Sequence, residues 1–347
     1  MSALWIVLDS GMTAFMARVF ILGAGASKFA GFPLALELWP FVRDLSGGHV
    51  QAETRRREVT LALERILQQV VPPAEQDRPN LEELFTLHDL ADMGTAPLEL
   101  LHTDWKDLRP KLMGMIADAF QWHQYNLRKD QRGFPKTKKV LRDWASVMVA
   151  GDTLITFNWD LLHEYALGTA KKWHYADGYG FPCEDAPKGI HSPVTILKLH
   201  GSVNWAQRDE MDVGPSIEHK ADFFPFSIDD HDIYMNAAGQ WNEGRNLITP
   251  SYLKDLSSNR LLLTLWNQAY DALREATEVT VIGFQLHPAD APARQLIGSA
   301  LLRNKNVSTV FVVSPSNGPD HWDSFCLSIG KIRKKIRMKC EDWLLTH

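Results

Sequence analysis

Five short apolar runs stand out along the chain: Val19–Leu22, Thr153–Phe157, Val194–Leu199, Thr280–Phe284 and Thr309–Val313. Each is rich in Val, Ile, Phe or Thr and is bounded by Gly, Pro, Asn or Asp, the pattern of strands buried on both faces of a parallel sheet. Helical periodicity fills several of the gaps, over Asp160–Lys171, Asn259–Ala276 and Ala289–Arg303. This alternation predicts an α/β fold, a Rossmann-like and mostly parallel sheet with helices on both faces.

Two segments break the alternation. From Glu53 to Val149 the periodicity is helical only, with helices expected at Glu53–Val70, Asn80–Ala91, Trp105–Arg128 and Lys136–Val149. This predicts a helical insertion after the first strand. From Ser202 to Asn259 the chain is rich in Gly, Pro, Asp and Asn and reads as loops and short strands. The expected organisation is an N-terminal extension over 1–18 and a single domain over 19–347, with the insertion at 53–149 and the loop-rich segment at 202–259.

Composition narrows the class. With 347 residues, 45% hydrophobic and 23% charged, the chain has enough apolar material for a sizeable core and lies far from the disordered class. The formal charge of -5 gives no sign of a polyanionic partner, so no direct nucleic-acid binding is expected. The basic "KIRKKIRMK" (Lys331–Lys339) reads as the solvated face of a last strand or helix. Trp159, Trp205 and Trp266 read as buried residues rather than a stacking surface. The apolar N-terminus has no basic leader and is interrupted by Asp9, so neither a signal peptide nor a membrane span is expected. Cys183, Cys326 and Cys340 are far apart and too few for a four-cysteine zinc site, which suits a cytoplasmic location.

Candidate chemistry begins at "VFILGAGASKFAGFP" (Val19–Pro33), where a strand is left through two glycines and a helix is expected at once. In open α/β sheets the turn after the first strand is the usual phosphate site. Gly23 and Gly25 would let a ligand approach the main chain, the amides of Ala24 to Lys28 would face an anion, and Ser27 would add a hydroxyl donor. Lys28 stands where the dinucleotide fingerprint has its third glycine, so a tight turn with no ligand is an equal reading.

Other strand ends add to this. "LITFNWDLLHEYAL" puts Asn158 and Asp160 after the second run, where Asp160 also suits a helix N-cap. "TILKLHGSVNW" ends on His200-Gly201, with His200 readable as a structural or a titrating group. Gly283-Phe284 and Ser314-Pro315 end the last two runs. In a parallel sheet all these ends converge on one edge.

Taken in order, "GAGAS", "TFNWD", "LKLHGSVNW", "VIGFQLHPAD" and "VVSPS" resemble the sirtuin-like fold, specifically its prokaryotic branch of NAD-hydrolysing domains found in antiphage defence proteins. The resemblance spans Val19–Ser316, and "NLEELFTLHDL", "YADGYGF" and "NLITPSYLKD" share it. It implies that Gly23, Ala24, Gly25, Ala26 and Ser27 hold the diphosphate and nearby ribose of NAD. Asn158 and Asp160 would sit at the nicotinamide ribose and nicotinamide, and His200 would be the catalytic base or polariser. Gly283, Phe284 and Ser314 would line the adenosine end. The implied activity is that of an NAD glycohydrolase (NADase), cleaving NAD to nicotinamide and ADP-ribose as an effector of bacterial antiphage defence. NAD would be the substrate, with no metal. A homo-oligomer is implied, gated by a trigger such as a partner HerA-type ATPase, with no membrane contact.

The residue types suit that chemistry. Cleavage of the nicotinamide bond builds positive charge on the ribose, as in glycoside hydrolysis. A neutral amide such as Asn158 can orient the ribose or a water, and His200 can accept a proton. Deacetylating sirtuins carry paired-cysteine zinc ligands and an acidic-Phe-Arg segment after the glycine turn, whereas this chain lacks the pairs and has "GFPLALELW" (Gly31–Trp39). Protein deacylation is therefore disfavoured and water is the expected acceptor. Two alternatives stand beside this reading. One is a non-catalytic NAD- or ADP-ribose-binding regulatory or assembly subunit of a defence complex. The other is a metal-dependent nuclease built on "DDHD" (Asp229–Asp232), a stretch that also reads as a solvated turn.

Overall fold

The computed structural model describes residues 17–44, 50–93, 99–129, 134–182, 189–207, 223–225, 245–247, 260–287, 290–315 and 321–346. The acids at Asp229–Asp232, Cys183, residues 1–16 of the extension and most of the segment 202–259 lie outside them.

All five apolar runs are strands. β1 (Arg18–Leu22) leads through 3-10 turns at Ala24–Ala26, Lys28–Ala30 and Ala35–Glu37 into α1 (Leu38–Arg43). Four helices, α2 (Val50–Val70), α3 (Leu81–Asp92), α4 (Glu99–Lys129) and α5 (Phe134–Val147), then precede β2 (Thr153–Thr156). After α6 (Leu162–Thr169) come β3 (Thr195–Lys198) and the strands β4 (Gly201–Gln207), β5 (Phe223–Pro225) and β6 (Arg245–Leu247), which form a small antiparallel sheet. The chain continues through α7 (Arg260–Glu275), β7 (Glu278–Ile282), α8 (Ala291–Arg303), β8 (Thr309–Val313), α9 (Trp322–Ser328), β9 (Ile332–Ile336) and α10 (Cys340–Leu344).

The main sheet has the order β3-β2-β1-β7-β8-β9, with every neighbouring pair parallel. This is the strand order of doubly wound sheets, which reverses direction between β1 and β7 and opens a crevice there. The basic Lys331–Lys339 segment supplies β9, an edge strand; its lysines discourage further strand addition, and Lys334 lies over the Phe311 ring. Leu22 pairs with Thr156 on one side and Ile282 on the other, so β1, β2 and β7 end level.

Every residue from Val19 to Leu22 is buried. Since successive side chains face opposite sides, both faces of the sheet are covered, which is why the strands read as continuous apolar runs. On one face Phe20 meets Trp144 of α5 and Trp343 of α10 edge-on, at 6.1 and 6.5 Å between centroids. A second core joins α2, α3 and α4 through Leu63, Phe85 and Ile116, and takes in Trp159 and Leu161 from the segment after β2. The helices between β1 and β2 thereby reach the carboxyl edge of the sheet.

The helix expected directly after β1 is not formed. Gly31 ends the second 3-10 turn in the left-handed conformation, φ 84°, and Pro33 follows; neither continues a helix. Three-residue turns are what the segment can accommodate.

Candidate functional site

At the carboxyl edge, the turn after β1 and the turn after β7 are in backbone contact. Gly23 N donates to the carbonyl of Ile282 at 3.1 Å, and Gly25 N to that of Gly283 at 3.0 Å. A Cβ on Gly23 would lie 2.7 Å from Phe284 Cα, and one on Gly25 would lie 2.7 Å from Gly283 Cα. Gly283 has φ 63°, and a Cβ there would lie 2.3 Å from the Ala26 nitrogen. These glycines are required by the crossing of two chain segments. Gly23 and Gly25 also line the cavity at this edge.

Their contacts also revise the anion cradle. Besides Gly25 N, the amides of Ala26 and Ser27 donate to the carbonyls of Gly23 and Ala24 at 2.8 and 3.2 Å. The Ser27 hydroxyl, expected to face an anion, is buried and donates to Asp160 Oδ2 at 2.7 Å. A buried carboxylate needs such a donor, and Ser27 also lines the cavity. Of the five amides proposed for the cradle, those of Ala24 and Lys28 make no such bond among the described residues.

Asn158 lies behind this turn. Its Nδ2 donates to the Gly23 carbonyl at 2.9 Å and to Ser27 Oγ at 3.1 Å. Asp160 accepts from Leu162 N through Oδ1 at 3.1 Å, so it braces the start of α6 one residue ahead of the N-cap position, Leu161. Asn158, Ser27 and Asp160 thus form one buried chain of hydrogen bonds.

His200 sits beyond them, two residues past the end of β3, with its ring edge-on to Phe157 at 5.0 Å. The Trp159 indole donates to the His200 carbonyl at 2.9 Å, and the Trp266 indole donates to the neighbouring Leu199 carbonyl at 3.1 Å. Both tryptophans are buried, as is Trp205, in keeping with the sequence reading. Phe157 also stacks on Phe284 at 4.4 Å with 12° between planes. These rings come from the ends of β2 and β7 and meet across β1, where Gly23 has no side chain to separate them.

A cavity of about 970 Å³ runs along this edge. It is lined by Gly23, Gly25, Ser27, Asn158, Asp160, His200, Gly283, Phe284 and Ser314 among the expected residues. Ala24 also lines it, whereas Ala26 is wholly buried beneath. Gly283 and Phe284, expected at the adenosine end, line the cavity where they pack against the glycine turn. Phe120 of α4, Glu82 of α3 and Asn80 just before α3 also line the cavity.

Sequence reasoning missed Asp290. It lies in the quoted "VIGFQLHPAD" stretch, precedes α8, is buried, and brings Oδ2 to 4.0 Å from His200 Nε2. An acid directly before the Ala291-Pro292 helix start was the available signal. Phe157 was missed too, having been read only as the last residue of a strand. Among the described residues no three His, Cys, Asp or Glu side chains come together as a metal site, and no helix is long and apolar enough to cross a membrane.

Fold and site define a doubly wound α/β protein whose cavity lies at the switch point of a parallel sheet and joins the Asn158 amide, the His200 imidazole and the carboxylates of Asp160 and Asp290. No family model matches the chain, and no curated protein matches it significantly in sequence. Among solved structures it is similar to one presented as the structural basis for the mechanism and regulation of Sir2 enzymes, at 13% identity and a TM-score of 0.39, covering 95% of this chain and 90% of that one. Sir2 in complex with the inhibitor EX-527, 2'-O-acetyl-ADP-ribose and a deacetylated p53 peptide is similar at 13% identity and a TM-score of 0.36, covering 95% and 91%. Sir2 with a p53 peptide and NAD+ is similar at 14% identity and a TM-score of 0.33, covering 95% and 91%.

Proposed function

We propose that this chain is an NAD glycohydrolase that releases nicotinamide and ADP-ribose. The observation that carries the reading is the meeting of Asn158 and His200, from the ends of adjacent strands, with the Gly23–Ser27 turn in one cavity at the switch point. The cavity spans the ends of several strands and lies within the usual size range of ligand pockets, so an elongated dinucleotide fits its shape.

In this reading the diphosphate lies against the turn, held through the amides of Ala24 and Lys28. Asn158 presents its carbonyl oxygen to the ribose, because its amide hydrogens are held by Gly23 and Ser27. His200 accepts the proton of the attacking water, with Asp290 behind it. Asp160 acts through Ser27 and the start of α6 rather than by direct contact with nicotinamide. Phe157 and Phe284 give the cavity an apolar floor beside His200. Water is the acceptor in this reading, because the chain lacks the paired cysteines of a deacylating sirtuin's zinc module.

Unchecked NAD loss harms the cell that makes the enzyme, so the activity belongs to a gated effector, and the resemblance of the motifs points to antiphage defence in the cytoplasm. Self-association or a partner such as a HerA-type ATPase would supply the gate.

The test is nicotinamide release from NAD by the purified chain at high concentration, beside Asn158→Ala and His200→Ala. Release by wild type and its loss in both variants is the expected result. NAD binding without release, unchanged by added partner or concentration, would instead make the chain a non-catalytic sensor or assembly subunit. Absence of binding would remove the pocket reading.

A further inference from the structure

Beneath the cavity lies a buried ionic cluster outside the expected site. Lys198, the last residue of β3, is fully buried, and its Nζ donates to the Asp160 carbonyl at 2.6 Å, the Trp159 carbonyl at 3.4 Å and Glu164 Oε1 at 2.7 Å. An ammonium has three donors, and here each has an acceptor. Glu164, in the first turn of α6, also accepts from the Tyr179 hydroxyl at 3.2 Å, and Tyr179 in turn bonds Asn204. Burial pushes the Glu164 carboxyl above its ordinary range, and the ammonium opposes that shift.

A buried ion pair adds little stability over apolar side chains of the same volume. What an apolar pair could not do is hold two main-chain carbonyls in the loop that carries Asn158. The same loop is tied to the turn after β3 by the Trp159 indole on the His200 carbonyl, and to β4 by Val203 N on the Trp159 carbonyl at 3.2 Å. The Lys198 contact is the charged member of this set, and it sits two residues before His200.

We propose that Lys198 is a positioning residue, its ammonium clamping the 158–160 loop to β3 and so fixing Asn158 relative to His200. The catalytic consequence rests on the NAD-hydrolase reading; the clamp itself does not. Misplacement of a reacting group by about 1 Å costs on the order of a hundredfold in rate, so the clamp matters even though it touches no substrate.

The test is the double variant Lys198→Met with Glu164→Met, which removes both charges and keeps the apolar volume. Hydrogen exchange, nicotinamide release and thermal unfolding are followed together. The expected variant melts close to wild type, exchanges amides of Trp159–Leu162 about tenfold faster with β1 and β7 unaffected, and loses about tenfold in kcat with little change in KM. A folded variant with wild-type loop exchange, or with faster exchange and wild-type kcat, would overturn the proposal. If wild type itself releases no nicotinamide, the hydrolase reading fails separately and the exchange measurement still decides the clamp. Should the methionine pair not fold, Lys198→Gln with Glu164→Gln keeps a neutral hydrogen-bonded pair without the reach to both carbonyls, and the same results apply.

Discussion

The side chain of Asn158 donates to the carbonyl of Gly23 at 2.9 Å, joining the ends of β2 and β1. A carbonyl only accepts, so this contact fixes which end of the amide faces the glycine turn and which end is left for a ligand. Both Asn158→Ala and Asn158→Asp are expected to lower nicotinamide release by about a hundredfold or more. They differ in stability. The aspartate sets a carboxylate against the Gly23 carbonyl near Asp160, and is expected to unfold at lower urea than the alanine variant, by roughly 1–3 kcal/mol. Equal stability of the two would mean that the amide is not held as described.

His200 and Asp290 give a second prediction. Their side chains approach to 4.0 Å, both largely out of solvent, and come from the ends of β3 and the start of α8. Asp290→Asn preserves size and removes charge. If the carboxylate supports His200 during proton transfer, kcat falls by about tenfold while KM and the melting temperature stay close to wild type. A rise in KM alone would place Asp290 in substrate binding instead.

Much of this arrangement was legible in the sequence, for a reason specific to the sheet. Val19–Leu22 is buried on both faces and reads as an uninterrupted apolar run, Val194–Leu199 reads as apolar apart from Thr195 and Lys198, and a parallel sheet then puts Gly23, Asn158, His200 and Gly283 on one edge. What stayed hidden depends on contacts between segments distant in the chain. That Gly23 and Gly25 must also lack side chains for the turn after β7 to pass was not readable, because that turn lies some 260 residues away in sequence. Lys198 sits inside the apolar stretch "TILKLHG", and its meaning requires Glu164 and the carbonyls of Trp159 and Asp160, none of them its neighbours.

The crossing of the two glycine turns can be probed directly. Gly283→Ala would put a methyl 2.3 Å from the Ala26 nitrogen at a residue with φ 63°. Clash and backbone strain together are expected to cost roughly 3–5 kcal/mol. Gly151→Ala, at φ 89° with nothing within 4 Å, isolates the strain, expected at about 1 kcal/mol. Urea unfolding of both variants checks the difference, and similar losses would show that the close approach carries no weight.

His163 supplies a prediction in pH. It is fully buried on α6, edge-on to Trp144 at 4.9 Å, and its Nε2 has no hydrogen-bond partner among the described residues. Burial pushes its imidazole down to about 4 from 6.5; Asp160 opposes the shift and Lys198 adds to it. Between those two pH values the unfolded chain binds a proton that the folded chain does not. Stability from this residue is therefore intact above about pH 6.5 and falls as the pH is lowered towards 4, by about 3 kcal/mol across the window. Glu164, raised by burial, acts with the opposite sign, but it is present in both proteins compared and drops out of the difference. His163→Phe keeps the edge-on aromatic packing and removes the titration. Urea unfolding at pH 7, 5.5 and 4.5 should give a flatter decline for the variant than for wild type. Parallel declines would locate the acid sensitivity elsewhere and would mean that the imidazole gains a proton without leaving its place.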